Sequence, residues 1–311
     1  MGQEVIRKSD RKPIRLYLWG FVVCSLSFVA YVFLGFLVVM RFAMPHRNIS
    51  LENNPGKHGV EYRNVRFPAR SSRVQVAAWY AQNPNPKAAL VLVHGKDSSR
   101  SHEQRSRNAE FVAALFHRGF TVLALDLRGH GESTPSHFSF GIEEQKDVLG
   151  GYDFLVQKGY KPTQIGLHGV SMGAASVIFA ASNEPNVKAI VADAGYADFG
   201  RLLSKEWPRR TGLPRLTIPS VRWASWVLYT YDPWTIRPIE ALANVHASAL
   251  FIHGENDKLI PTSDSIEMHA KLPGSKLWIQ PKAAHAAGFP QDPNTYTQVV
   301  ADFFDQNLQR N

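Results

Sequence analysis

The sequence predicts an α/β fold: a mostly parallel sheet of eight strands with helices on both faces. Three observations carry that expectation. Short apolar runs alternate with helix-length amphipathic stretches through most of the chain, and the intervals are long enough for the crossovers that parallel pairing requires. Two alternating runs precede them, Val60 to Phe67 and Arg73 to Tyr80, and read as a short antiparallel start. A pentapeptide, Gly169-Val170-Ser171-Met172-Gly173, lies between a run that reads as a strand and one that reads as a helix.

Taken in order, residues 1–15 form a basic tail with Arg7, Lys8, Arg11, Lys12 and Arg15. From Leu16 to Met40 no residue is charged; as a helix this run covers about 37 Å, enough to cross a bilayer with some tilt. The apolar core of a signal peptide is shorter, about 7–15 residues, and ends at a small-residue cleavage site. Met40-Arg41-Phe42-Ala43-Met44 offers no such site, so residues 16–44 are expected to be an uncleaved transmembrane anchor. Only Arg41 and Arg47 closely follow the span. That bias predicts a cytoplasmic N-terminus and a following domain in the periplasm, the cell exterior or an organelle lumen. Residues 45–59, with Asn53-Asn54-Pro55-Gly56, read as a polar linker to a domain over 60–311.

After the two opening strands, Asn83-Pro84-Asn85-Pro86 forms a turn. Six further strands are expected near Ala89–Val93, Thr121–Leu125, Gln164–His168, Val187–Ala192, Ala249–His253 and Lys276–Gln280. Helices are expected near Gln104–His117, Ile142–Gln157, Met172–Ala181, Ser263–Lys271 and Asn294–Gln309. The interval after the sixth strand exceeds fifty residues, far more than an ordinary crossover needs. Its excess, about 197–243, holds Trp207, Trp223, Trp226 and Trp234, four of the chain's seven tryptophans. Those aromatics suit an acyl pocket, a membrane interface or the insertion's own small core.

The pentapeptide has the form G-x-S-x-G. A serine on a sharp strand-to-helix turn needs small flanking residues, which Gly169 and Gly173 supply. A serine hydroxyl becomes nucleophilic only beside a base, and the base needs an orienting acid. The nucleophile-elbow arrangement expects the order serine, acid, histidine, and two candidates follow Ser171 in that order, each just past an expected strand: Asp257 after Ala249–His253, and His285 after Lys276–Gln280. Asp193 and Glu255 are competing acids. Two backbone N–H groups must bind the developing oxyanion. Those of Met172 and of Lys96, in the loop His94-Gly95-Lys96-Asp97, are the candidates, with His94 bracing that loop.

These residues resemble the serine α/β-hydrolase superfamily over roughly 60–310. Asp126-Leu127-Arg128-Gly129-His130-Gly131-Glu132-Ser133 looks like the D-x-R-G-H-G-x-S loop of its esterase, monoacylglycerol-lipase and proline-iminopeptidase branches. The resemblance implies the α/β-hydrolase fold with a cap after the sixth strand, Asp257 at its usual G-x-x-D spacing from Gly254, and acyl transfer without a cofactor or metal. Some relatives carry the acid at the earlier strand, where Asp193 stands. A serine at position 171, rather than an aspartate, argues against dehalogenase and epoxide-hydrolase chemistry.

The expected substrate is a small-molecule or lipid-like carboxylic ester. Amide, peptide or thioester cleavage would use the same residues, and a membrane-tethered binding or scaffold protein is the non-catalytic alternative. The net charge of +9 includes the juxtamembrane cluster, and no basic run is interleaved with aromatics as nucleic-acid binding would require. Basicity favours anionic membrane surfaces instead. The sole cysteine, Cys24, lies within the span, so the domain has neither a disulfide nor a cysteine metal site. Asn48-Ile49-Ser50 fits a glycosylation pattern, at a site too close to the membrane to carry weight.

Overall fold

Each strand of the single sheet grows from an apolar run closed by a turn. The computed structural model describes residues 11–49 and 52–309; Arg7 and Lys8 of the basic tail and Ser50 of the glycosylation pattern lie outside them. The strands are β1 (Arg63–Pro68), β2 (Gln75–Ala81), β3 (Ala88–Val93), β4 (Phe120–Leu125), β5 (Ile165–Val170), β6 (Ala189–Asp193), β7 (Ser248–Gly254) and β8 (Lys276–Gln280). Their order is β1-β2-β4-β3-β5-β6-β7-β8. β2 pairs antiparallel with β1 and with β4, and the pairs from β4 through to β8 are parallel. This is the predicted eight-stranded sheet with its antiparallel start.

The principal helices are α1 (Arg11–Ala43), α2 (Asn108–His117), α3 (Glu144–Gln157), α4 (Met172–Asn183), α5 (Phe199–Thr211), α6 (Ile218–Tyr229), α7 (Thr262–Lys271) and α8 (Pro293–Asn307). Side chains alternate across a strand, so the sheet feeds two cores. Leu90, Leu92, Val122, Val191, Leu250 and Ile252 meet Phe111 of α2 and Tyr296 and Phe304 of α8. Val91, Leu123, Leu125, Leu167, Ile190 and Phe251 meet Val148 of α3, Val177 of α4 and Met268 of α7. Each such side chain contributes about 1.5–3 kcal/mol by leaving water. Burial on both faces explains why the central strands read as continuous apolar runs.

Several boundaries shift by two to four residues from expectation, the first strand beginning at Arg63 rather than Val60, and two of the shifts bear on the site. The helix expected from Gln104 begins only at Asn108, because Gln104, Arg105 and Ser106 take positive φ of 54°, 55° and 65°. The side chain of buried Glu103 accepts from the Gly95 and Gln104 N–H groups, and so draws this turn inward. The fifth strand runs on to Val170, whose register partner is Asp193, so it delivers the chain directly to Ser171.

The chain divides into two units. One joins α1 up to Phe42 with Trp207–Asp232 and therefore includes α6. α1 contains the one described helix long and apolar enough to cross a membrane, Leu16–Ala43. The other unit carries the whole sheet, and in it the two arms of the insertion are tied together. Phe199 N–H donates to Ile236 O (2.9 Å), and Trp234 Nε1 donates to Ser204 Oγ (2.7 Å). Residues just after α1 also lie on this unit: Arg47 donates to the Gly131 and Ser133 carbonyls (2.8 and 2.9 Å).

Buried imidazoles latch the loops that follow β3 and β4. His94 Nε2 accepts from Leu127 N–H (2.9 Å), leaving Nδ1–H to donate to Gly95 O (2.6 Å). His130 Nε2 accepts from Asp97 N–H (3.1 Å) while Nδ1–H donates to Arg128 O (2.9 Å). A proton on either Nε2 would face another donor, and burial pushes both groups down to about 4. Their stabilisation is therefore complete above the ordinary histidine range and is lost as pH falls from about 6.5 toward 4; each tenfold loss of proton affinity on folding is worth about 1.4 kcal/mol. Thermal melts should show a melting temperature that declines across that window. His130→Gln, whose amide oxygen accepts from Asp97 without titrating, should flatten the decline; an unchanged slope would contradict the assignment.

Candidate active site

At Ser171 the chain leaves β5 and enters α4 within one residue, at φ 56° and ψ −115°. Such a conformation costs on the order of 1–3 kcal/mol for a non-glycine residue and needs surrounding structure to hold it. Ser171 N–H donates to Asp193 O (2.8 Å), and Ser171 O accepts from Ala174 N–H (3.0 Å). The flanking glycines are sterically required. A Cβ on Gly169 would stand 2.2 Å from Gly173 O, and one on Gly173 would stand 2.4 Å from Val93 O.

The loops after β7 and β8 bring two distant residues to this turn. His285 Nε2 lies 3.1 Å from Ser171 Oγ, and His285 Nδ1 lies 2.7 Å from Asp257 Oδ2. The carboxylate assigns the proton to Nδ1, so the Nε2 lone pair faces the hydroxyl. The Asp257 side chain is fully buried, whereas His285 keeps 21% of its side-chain surface exposed. Asp257 Oδ1 accepts from Leu259 and Ile260 N–H (2.8 and 2.9 Å). Burial alone would raise the Asp257 carboxyl, but hydrogen bonds from His253 and His285 outweigh it and hold the group well below the usual carboxylate range.

The competing acids go elsewhere. Asp193 Oδ2 accepts from Tyr296 OH (2.7 Å), which also lies 2.9 Å from His168 Nε2; burial pushes Asp193 up to about 6. Glu255 Oε2 accepts from Lys282 N–H (3.0 Å) at the surface. Of the three carboxylates, Asp257 is the one bonded to His285.

The Met172 N–H opens α4, so it has no acceptor within the helix and sits at the positive end of the dipole. The loop holding Lys96 packs directly on the serine, since a Cβ on Gly95 would come 3.1 Å from Ser171 Cβ. Gly95 N–H is taken by Glu103 Oε2 (2.5 Å). The Lys96 ammonium pairs with the Asp97 carboxylate and lies 5.0 Å from the centre of the Phe138 ring. The arrangement can move a proton from hydroxyl to imidazole with a buried anion behind it and the first N–H of α4 beside it.

Two groups at the site have no motif that marks them. His253, near the end of β7, places Nε2 3.2 Å from Asp257 Oδ2 and 3.0 Å from Ile260 O, with Nδ1 2.7 Å from Ser265 Oγ. Burial lowers its affinity for a proton, but Asp257 and the Ile260 carbonyl more than compensate, so its pKa is raised. Its position four residues before Asp257 is the only signal in the sequence. Glu103 is the second, and only the three-dimensional approach of its loop to Gly95 reveals its role. Among the described residues no group of three or more His, Cys, Asp or Glu side chains is set to hold a metal ion.

The family model described as the alpha/beta hydrolase family matches residues 90–302. The chain is 29% identical over 193 residues to the uncharacterized protein YqkD of Bacillus subtilis, a match covering 60% of this chain and 63% of that one. It is 26% identical over 189 residues to the serine hydrolase BPHL of Homo sapiens, covering 53% and 63% respectively. It thus spans less than two thirds of each of these relatives. Among solved structures, the Pyrococcus furiosus esterase Pf2001 superposes with a TM-score of 0.69 at 23% identity, covering 85% of this chain and 99% of that one. That likeness is one of fold.

Gly173→Ala should push the loop after β3 away from Ser171. Overpacking of this kind costs about 1–3 kcal/mol, read as a lower melting temperature. A variant melting with the parent would show that the turn has slack.

Proposed function

The chain belongs to the alpha/beta hydrolase family, and from that premise we propose that it is a membrane-anchored serine hydrolase of carboxylic esters. One observation carries the proposal: the row Ser171 Oγ, His285 Nε2, His285 Nδ1 and Asp257 Oδ2, with separations of 3.1 and 2.7 Å, set on a strained strand-to-helix turn. The human relative is named a serine hydrolase and the Pyrococcus structure an esterase, in agreement with that chemistry.

In the proposed reaction, His285 Nε2 takes the Ser171 proton as Oγ bonds to the acyl carbon. The carbonyl electrons move onto oxygen, which accepts from the Lys96 and Met172 N–H groups. Each such donor is worth about 2.7–4 kcal/mol in the transition state. Asp257 holds the imidazole and stabilises its cation. The alcohol leaves with the proton from His285, and the acyl group stays on Ser171 Oγ. Water then gives its proton to His285, attacks the acyl carbon and releases the acid, and the proton returns to Ser171.

The accompanying organisation is a basic tail (1–15), an anchor (16–44), a linker (45–59) and a hydrolase domain (60–311) with its cap at about 197–243. The charge bias across the span supports a cytoplasmic N-terminus, with the hydrolase domain on the far side.

Ser171→Ala should abolish fluorophosphonate labelling and lower p-nitrophenyl ester turnover by on the order of 10⁴–10⁶. Asp257→Asn should lower turnover by on the order of 10⁴ while labelling persists slowly. An acyl chain-length series on the same assay identifies the acyl class, and a sharp preference for short chains would set aside lipid-like esters.

A further inference from the structure

Helix α6 is apolar on the face that it turns outward. Ser220, Val221, Ala224 and Ser225 form its buried side. Trp223 and Trp226 are 50% and 61% exposed, Val227 is exposed beside them, and Leu216 just before the helix is 77% exposed. The helix carries a single charge, Arg222, which is paired with Asp232 (2.7 Å). Large aromatic and aliphatic side chains at i, i+3 and i+4 on an open surface are the reverse of what water selects.

The position of this helix within its own unit accounts for the pattern. Tyr31 OH of α1 donates to Leu216 O (3.0 Å) and accepts from Ser220 N–H (3.2 Å). Gly35 lies so close that a Cβ there would stand 2.5 Å from Ser220 O. The Phe36 ring meets Trp223 edge-on at 5.6 Å. All three α1 residues belong to the uncharged run from Leu16 to Met40.

A hydrocarbon core about 30 Å thick takes about 20 helical residues. Counted forward from Leu16, the core ends at Gly35; counted back from Met40, it contains Tyr31, Gly35 and Phe36. In either register α6 is seated at or below the acyl boundary. We propose that Trp223, Trp226, Val227 and Leu216 form a lipid-facing surface, buried in the bilayer that α1 crosses, on the side of the C-terminal end of α1. This rests on the anchor reading. The occupant is the lipid itself: tryptophan favours the interfacial layer, and an amphipathic helix lying in that layer buries its apolar face about 5–10 Å deep.

The full chain can be tested in phosphatidylcholine vesicles containing lipids spin-labelled at acyl carbon 5 or 12. The native Cys24, exposed on α1, carries an environment-sensitive fluorophore that reports the anchor. In a Cys24→Ala background, Trp226→Cys and, independently, Val227→Cys report α6, and Ile266→Cys on the sheet-bearing unit is the aqueous control. The Cys24 probe should be quenched most by the carbon-12 label, the two α6 probes by the carbon-5 label at least threefold more than the Ile266 probe. Quenching at Cys24 with α6 probes no different from Ile266 would overturn the proposal and leave the anchor standing, including the case in which crosslinking shows a second copy covering α6. No quenching at Cys24 would remove the anchor, and this inference with it.

Discussion

Everything in the sheet-bearing unit converges on the backbone at residue 171. A non-glycine residue at φ 56° is stable only if its surroundings leave no alternative. Here β5 pairs with β3 and β6 up to that residue, Asp193 O takes the serine N–H, and α4 begins at once. The glycines at 169 and 173 are the steric condition for that turn, because carbonyl oxygens occupy the space their side chains would need. The loops after β3, β7 and β8 then meet the serine at the C-terminal edge of parallel strands, where open α/β sheets expose their loops.

The polar groups beneath the serine follow one rule: a charge or dipole removed from water must be matched. Asp257 is ionised because two backbone N–H groups and two imidazoles point at it. Asp193, one strand away, has a tyrosine hydroxyl as its main partner, and its proton is correspondingly harder to remove. His94 and His130 stay neutral because each must accept from a backbone N–H. Identical side-chain chemistries thus serve different ends according to the donors around them.

The other unit is apolar on its outside. Residues 16–30 of α1 are exposed around the whole helix, a distribution suited to lipid rather than water. From Tyr31 onward α6 covers part of it, with an outward face as apolar as the helix it covers. The insertion that sequence spacing marks out is therefore split: its arms close on each other in the sheet-bearing unit, and its tip joins α1.

The sequence by itself determined the sheet, its parallel sense, the serine turn and the apolar span, because each is written in local periodicity or in a short motif. Strands buried on both faces read as unbroken apolar runs, and the turn at Ser171 demands glycines at fixed offsets. It favoured Asp257 over Asp193 and Glu255 through its spacing from Gly254, and the hydrogen bond between Asp257 and His285 is made only where the loops after β7 and β8 meet. For His253, which shares the Asp257 carboxylate, it held only a four-residue spacing, and it held no sign that Glu103 would break a helix to reach Gly95. Nor did it reveal that Tyr31 would hydrogen-bond Ser220, 189 residues away. Such contacts depend on where the folded chain returns to itself, and a local pattern carries no record of that.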